Sequence, residues 1–224
     1  MTEIKIETDF EQLRINEASI DCPWDIEEVT ILDGSIIVAL GSFRSAKSPR
    51  HQQADFTLPD EHRNIVAFDR HGEIVWFVGE PPEDRDLTGH YYKLYGYQDH
   101  LTARFEGEYL DHINPNTGQI IESLPLNQLP IGERIVTLDG EVSSLVELDD
   151  RLFVGCRSGD NGIYAFEADG TELWRSDAGE RRGYLYEDDG ELWEVLAVGR
   201  DKDDHHRIDP ETGERIDGWS NYDE

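Results

Sequence analysis

The stretch that decides the fold is NGIYAFEADGTELWRSDAG, residues Asn161–Gly179. A largely apolar segment runs up to Asp169-Gly170, and a second segment carries Trp174. An Asp-Gly pair after a predicted strand is a hairpin signal, because glycine accepts the positive φ that tight turns require. The stretch therefore predicts one β-hairpin.

Weaker copies of this hairpin occur at three other places. They are NIVAFDRHGEIVWFVGE (Asn64–Glu80), DHINPNTGQIIESLP (Asp111–Pro125) and HHRIDPETGERIDGW (His205–Trp219). The four turn glycines, Gly72, Gly118, Gly170 and Gly213, are separated by 46, 52 and 43 residues. A period of this length is typical of one four-stranded sheet per repeat.

The segments upstream of the hairpins repeat as well. Each has a strand, a turn containing Asp and a second apolar strand, as in EEVTILDGSIIVALGS (Glu27–Ser42) and SSLVELDDRLFVGCRS (Ser143–Ser158). Tyr184–Arg200 follows the same plan, and Leu94–Gly107 follows it loosely. Each repeat then has four strands, and the predicted repeats span about residues 24–80, 91–125, 140–179 and 183–219.

The hairpin motif resembles the blade repeat of quinoprotein-type (PQQ-like) β-propellers, in which an Ala-x-Asp strand end, a glycine turn and a tryptophan follow one another. Tyr164–Trp174 and Val66–Trp76 carry the match. In that family the tryptophan packs neighbouring blades together, so the resemblance implies a structural role for Trp76 and Trp174. The other two hairpins have Glu122 and Asp217 at the tryptophan position.

The repeats predict a single all-β domain over residues 1–224, a small propeller of four blades. A fifth blade is expected if Met1–Pro23 and Leu124–Glu141 contribute strands. Closing the ring removes exposed sheet edges, and we expect an N-terminal strand, EIKIE or EQLRI, to pair with the last blade. Thr8–Ala18 fits either a short helix or a strand.

The charge balance is strongly acidic, with 50 Asp and Glu against 20 Lys and Arg and a formal net charge of -30. This composition resembles that of haloarchaeal proteins, and we expect a small salt-adapted member of the propeller family. The negative field disfavours nucleic acid and anionic membranes as partners. Met1–Phe10 lacks the apolar stretch of a signal peptide, so we expect a cytoplasmic protein.

Basic residues supply the candidate binding site. Arg44, Arg157 and Arg200 each follow a glycine that ends the second strand of a repeat, and a ring of guanidinium groups would hold a carboxylate or a phosphate. Lys47 and Arg50 extend this set from a locally basic insertion at Ser45–Arg63. The alternative is that each arginine pairs with a nearby carboxylate.

A metal site is the weaker hypothesis. Asp203, His205 and His206 form an Asp/His cluster of the kind that ligates divalent ions, but adjacent strand residues face opposite sides. A solvated acidic turn is the alternative. Cys22 and Cys156 have no CxxC partner, so we expect buried free thiols.

No nucleophile elbow, zinc-protease, P-loop or dinucleotide motif is present in the sequence. The quinone-dependent dehydrogenases of the propeller family are longer, eight-bladed and exported, so the resemblance carries no cofactor to this chain. We expect a non-catalytic module that binds a protein or a small anionic ligand. The alternative is a metal-dependent hydrolase or lyase with its site in the central propeller channel.

Salt adaptation is testable by melting. The screening length falls to about 3 Å at molar salt, so repulsion among the carboxylates is largely removed there. The melting temperature is expected to rise steeply between about 0.1 M and 2 M KCl, measured by circular dichroism. A melting temperature that does not change over this range would contradict the prediction.

Overall fold

The computed structural model of the chain describes residues 4–41, 54–82, 89–106, 109–159, 162–177, 183–199 and 202–221. Within these residues the secondary structure is entirely β. No helix in the described part of the chain is long and apolar enough to cross a membrane. The chain divides into two compact units, residues 1–124 and 125–224.

The first unit holds eleven strands, the last of which ends at its boundary: β1 (Ile6–Asp9), β2 (Gln12–Ile15), β3 (Ala18–Asp21), β4 (Ile26–Leu32), β5 (Ser35–Leu40), β6 (Ile65–Phe68), β7 (Ile74–Phe77), β8 (Tyr91–Tyr97), β9 (His100–Phe105), β10 (Tyr109–Ile113) and β11 (Ile120–Pro125). They form a three-stranded sheet, β1-β2-β3, and two four-stranded sheets, β4-β5-β6-β7 and β8-β9-β10-β11.

The second unit holds ten strands: β12 (Gln128–Ile131), β13 (Arg134–Thr137), β14 (Gly140–Leu148), β15 (Arg151–Gly159), β16 (Gly162–Glu167), β17 (Glu172–Asp177), β18 (Gly183–Asp188), β19 (Glu191–Gly199), β20 (Lys202–Ile208) and β21 (Arg215–Ser220). They form a two-stranded sheet, β12-β13, and two four-stranded sheets, β14-β15-β16-β17 and β18-β19-β20-β21. The prediction of four four-stranded antiparallel sheets is confirmed.

Of the two segments expected to close the ring, EIKIE and EQLRI, the second is used within its own sheet. EQLRI lies mostly in β2, which pairs with β1 on one edge and β3 on the other. A strand has only two hydrogen-bonding edges, so β2 has none left for the last sheet. Ring closure by an N-terminal strand is not confirmed. Of the two alternatives for Thr8–Ala18, the strand is observed.

The sheet β4–β7 is buried on both faces. Ile36, Val38 and Leu40 of β5 pack in one core with Leu13 and Ile15 of the three-stranded sheet. The residues between them on β5, Ile37 and Ala39, pack in a second core with the sheet β8–β11. This explains why β5 reads SIIVAL, a continuous apolar run rather than an alternating one.

In the second unit, one core joins the two four-stranded sheets. It contains residues of β14–β16, namely Val146, Phe153, Ile163 and Ala165, and residues of β18–β20, namely Leu185, Leu192 and Ile208. The Ser144 hydroxyl adds a polar link, because it accepts a hydrogen bond of 2.8 Å from the backbone amide of Leu185. Each four-stranded sheet therefore packs face to face with its neighbour within the unit.

In each unit, a tryptophan joins the two four-stranded sheets. The indole Nε1–H of Trp76 on β7 donates to the backbone oxygen of Pro115, at 2.9 Å, in the β10–β11 turn. In the second unit, Trp174 on β17 donates to the backbone oxygen of Pro210, also at 2.9 Å, in the β20–β21 turn. The packing role that the propeller resemblance implies for both tryptophans is confirmed.

The turn that receives each tryptophan requires glycine for two reasons. Gly118 and Gly213 have φ of +72° and +73°, which favours glycine on backbone grounds. A Cβ atom at Gly213 would also lie 2.6 Å from the Trp174 ring, and one at Gly118 would lie 2.5 Å from the Trp76 ring. The glycine thus lets the indole lie directly on the turn.

The contact between the Trp174 ring and its turn is testable with two glycines, Gly213 and Gly190, that lie in turns of the same sheet. Gly190→Ala is expected to cost about 1 kcal/mol of unfolding free energy, because Gly190 has φ of +77° but no atom within 4 Å of the added Cβ. Gly213→Ala is expected to cost about 3 kcal/mol, because it adds overlap with the indole to the same backbone strain. Urea unfolding at one KCl concentration measures the unfolding free energy of both variants. An equal loss in Gly190→Ala and Gly213→Ala would contradict the contact between Trp174 and the Gly213 turn.

Candidate functional site

Of the predicted basic residues, Arg157 is the one within the described residues. It lies on β15, and its Nε is 3.7 Å from Oε2 of Glu141 on β14, with 41% of its side chain exposed. This is the carboxylate pairing that stood as the alternative to a ligand role. Arg44, Lys47, Arg50 and Arg200 lie outside the described residues, so the arginine ring stays a prediction.

The described part of the basic insertion is anchored to the first unit. Phe56 packs edge-on against Phe68, with ring centroids 5.7 Å apart. Asp55 accepts a hydrogen bond of 2.8 Å from the backbone amide of Asp21, and Arg63 donates from Nε to the backbone oxygen of Val78 at 2.7 Å. The last part of the insertion is therefore held by core and backbone contacts.

The metal candidates lie on β20. His205 stacks on Trp219 of β21, with ring centroids 3.8 Å apart and planes 7° from parallel. The Tyr186 hydroxyl lies 3.2 Å from its Nδ1. His206 is paired across the sheet with Glu194 and Gly218. Among the described residues, no group of three or more His, Cys, Asp or Glu side chains is placed to hold a metal ion, Asp203 and His206 included.

Both cysteines are buried free thiols, as expected. Burial raises the pKa of Cys22 to about 12, and the neighbouring Asp21 carboxylate adds to the effect. Burial likewise raises the pKa of Cys156 to about 12. A thiol is nucleophilic only as the thiolate, so the raised pKa values do not favour either cysteine as a nucleophile.

A histidine pair lies on the sheet β8–β11. His100 Nδ1 is 3.3 Å from His112 Nε2, and His112 Nδ1 is 3.5 Å from Oε1 of Glu122. Burial lowers the pKa of His112 and the neighbouring His100 lowers it further, while Glu122 opposes both. Glu122 occupies the position of the absent tryptophan, so in this sheet that position is used for a contact with His112.

A different cluster, which the sequence reasoning missed, lies on the last sheet. We call it the aromatic face: Tyr184, Tyr186, Trp193, His205 and Trp219. The strand register places Tyr184, Val195, His205 and Trp219 in one row across all four strands. Tyr186 and Trp193 are paired in the adjacent row, followed by Arg207 and Asp217. Residues two apart on a strand share a face, so both rows lie on one side of the sheet.

The rings contact one another along the face. Tyr186 lies nearly parallel to Trp193, with centroids 6.3 Å apart, and edge-on to His205 at 6.1 Å. At the two ends of the row, Tyr184 is 53% exposed and Trp219 is 51% exposed. The other side of the same sheet contributes Leu185, Leu192 and Ile208 to the core. The aromatic face therefore exposes its two end rings to solvent, while Val195 between them is buried, and the opposite side of the sheet packs in the core.

The surroundings of the aromatic face are acidic. Between Gly183 and Ser220 the sequence has twelve acidic residues and four basic ones. Arg207, within the second row, is bound by two carboxylates: its Nη2 is 2.9 Å from Asp217 Oδ2, and its Nη1 contacts Glu191. These two ion pairs offset the charge of Arg207. Strand alternation places Asp188, Asp203 and Asp217 on the same side as the aromatic residues.

The chain belongs to the family described as a domain of unknown function (DUF7957), whose model matches residues 1–124. The matched residues are those of the first compact unit. No curated protein matches the chain.

Two solved structures share its fold. A chain of the Mitotic Checkpoint Complex aligns with a TM-score of 0.57 at 9% identity, covering 96% of this chain and 74% of that one. Apo AztD from Citrobacter koseri aligns with a TM-score of 0.51 at 9% identity, covering 98% of this chain and 70% of that one. AztD is a PQQ-like β-propeller protein. The likeness shows the fold, a β-propeller built of four-stranded antiparallel sheets, as the sequence repeat predicts.

Proposed function

We propose that the protein is a β-propeller protein-interaction module that binds a partner protein through the aromatic face. One observation carries the proposal. Tyr184 and Trp219 are about half exposed on the two outer strands of a sheet whose opposite side is packed in the core.

Interface energetics favour such a surface. Tyrosine and tryptophan are enriched among the residues that dominate binding energy, because each buries a large area and has few rotatable bonds to fix. Here the contacts among Tyr186, Trp193 and His205 already restrain the rings before a partner arrives. Little side-chain entropy is left to lose on binding.

The fold comparison supports the same class of function. The solved structure with a TM-score of 0.57 is a chain of a multiprotein assembly, the Mitotic Checkpoint Complex. At 9% identity no partner is transferred from it. The propeller scaffold is in any case suited to presenting side chains from a rigid sheet.

The proposed setting of the interaction rests on the acidic composition and on the expected cytoplasmic location. We place the module in the cytoplasm of a salt-adapted cell, where molar salt screens its net charge of -30. Long-range charge attraction is then weak, so short-range contacts of aromatic rings have to supply the affinity. An aromatic surface meets this requirement better than a charged one.

The proposal is tested by affinity capture with paired variants. Tagged wild-type protein, the double variant Tyr184→Ala/Trp219→Ala and the control Phe10→Ala are each incubated with native lysate at high KCl. Phe10 is a 78% exposed aromatic residue of the first unit, so its variant removes a ring without touching the aromatic face. Quantitative mass spectrometry is expected to find a partner that wild type and Phe10→Ala retain and the double variant loses. Equal recovery by all three proteins would contradict the proposal.

A further inference from the structure

We infer that the aromatic face binds an arginine-containing segment of its partner protein, with two arginines about four residues apart. This inference rests on the proposed interaction function and names the chemistry of the partner.

Trp219 is arranged as a stacking platform. One side of its indole is covered by the parallel imidazole of His205, at a centroid distance of 3.8 Å, and the residue is still 51% exposed. A planar guanidinium group stacks flat on such a ring, attracted by the negative charge of the π face. Tyr184, which is 53% exposed at the other end of the row, offers a second ring.

The spacing of the two rings sets the spacing of the arginines. Tyr184 and Trp219 are the end residues of one row, so three inter-strand distances separate their backbones. At about 4.8 Å per strand this is about 14 Å. An extended segment advances about 3.4 Å per residue, so side chains four residues apart match the two rings and point to the same side.

The aspartate carboxylates of the aromatic face explain why the proposed ligand is an arginine. They also explain why the arginine comes from another protein and not from a second copy of this chain. Asp188 and Asp203 share the face with the rings, and a guanidinium group can stack on a ring while its edge donates to a carboxylate. The lysine ammonium is a strongly hydrated point charge and does this less well. A second copy presenting the same face would bring the same carboxylates into contact with Asp188 and Asp203, at distances where salt screens their repulsion least.

Short peptides test the inference. The probes are acetyl-GRGSGRG-amide, the same peptide with lysine for arginine, and a version with the two arginines adjacent. Binding is measured by isothermal titration calorimetry in about 1 M KCl, where a screening length of about 3 Å suppresses non-specific attraction to the acidic surface. The first peptide is expected to bind at least about fivefold more tightly than either of the others.

Variants at the rings separate stacking from general apolar contact. Trp219→Leu and Tyr184→Leu keep apolar bulk and net charge but remove the π face, and each is expected to weaken binding about fivefold. Trp219→Phe is expected to retain most of the affinity, and Phe10→Leu to leave it unchanged. Melting temperatures of all variants confirm that folding is intact before affinities are compared.

Three results would overturn the inference: equal binding of the arginine and lysine peptides, unchanged binding by folded Trp219→Leu and Tyr184→Leu proteins, or a wild-type dimer that Trp219→Leu converts to a monomer. If the peptides fail while the double variant still loses a captured partner, the interaction function stands and the arginine chemistry is wrong. If both experiments fail, the interaction function is wrong as well.

Discussion

The packing of an indole ring on a glycine turn is the contact on which the arrangement of sheets in each unit depends. Trp76 lies on the turn of Gly118, and Trp174 lies on the turn of Gly213, each with a hydrogen bond of 2.9 Å to a proline carbonyl. A side chain at either glycine would overlap the ring, so the contact constrains both partners. The two sheets without such a tryptophan are the last four-stranded sheets of their units. At the equivalent positions, Glu122 contacts His112 and Asp217 forms an ion pair with Arg207.

Much of this fold could be predicted from the sequence because its strongest signals are local. A hairpin with a glycine turn such as His-Gly, Asp-Gly or Pro-x-Thr-Gly needs no distant contact to be recognised, and four such hairpins correspond to the four four-stranded sheets. The three-stranded sheet was ambiguous because its turns lack glycine. Phe10 and Asn16 take positive φ, of 46° and 52°, where sequence patterns expect glycine. Which edges β2 uses depends on strand order, which no local pattern contains.

The site was harder to predict for a different reason. The aromatic face takes its rings from four strands, and the first and last of them, Tyr184 and Trp219, are 35 residues apart in the sequence. Only the register of the hairpins brings them together, and a shift of one residue would send the rings to the other side of the sheet. A signal was present in the sequence, since Tyr184 and Tyr186 occupy alternate positions of β18. The predicted arginines were chosen on strand ends, where Arg157 pairs with Glu141 instead.

Hydrogen exchange of the indole N–H groups tests the central contact most directly. In ¹H–¹⁵N NMR spectra of the native protein, the Nε1–H groups of Trp76 and Trp174 are predicted to exchange far more slowly than that of the half-exposed Trp219, because the proline carbonyls hold them. Exchange of Trp76 and Trp174 at the rate of Trp219 would show that neither indole is held on its turn, and would contradict this account of how the sheets are joined.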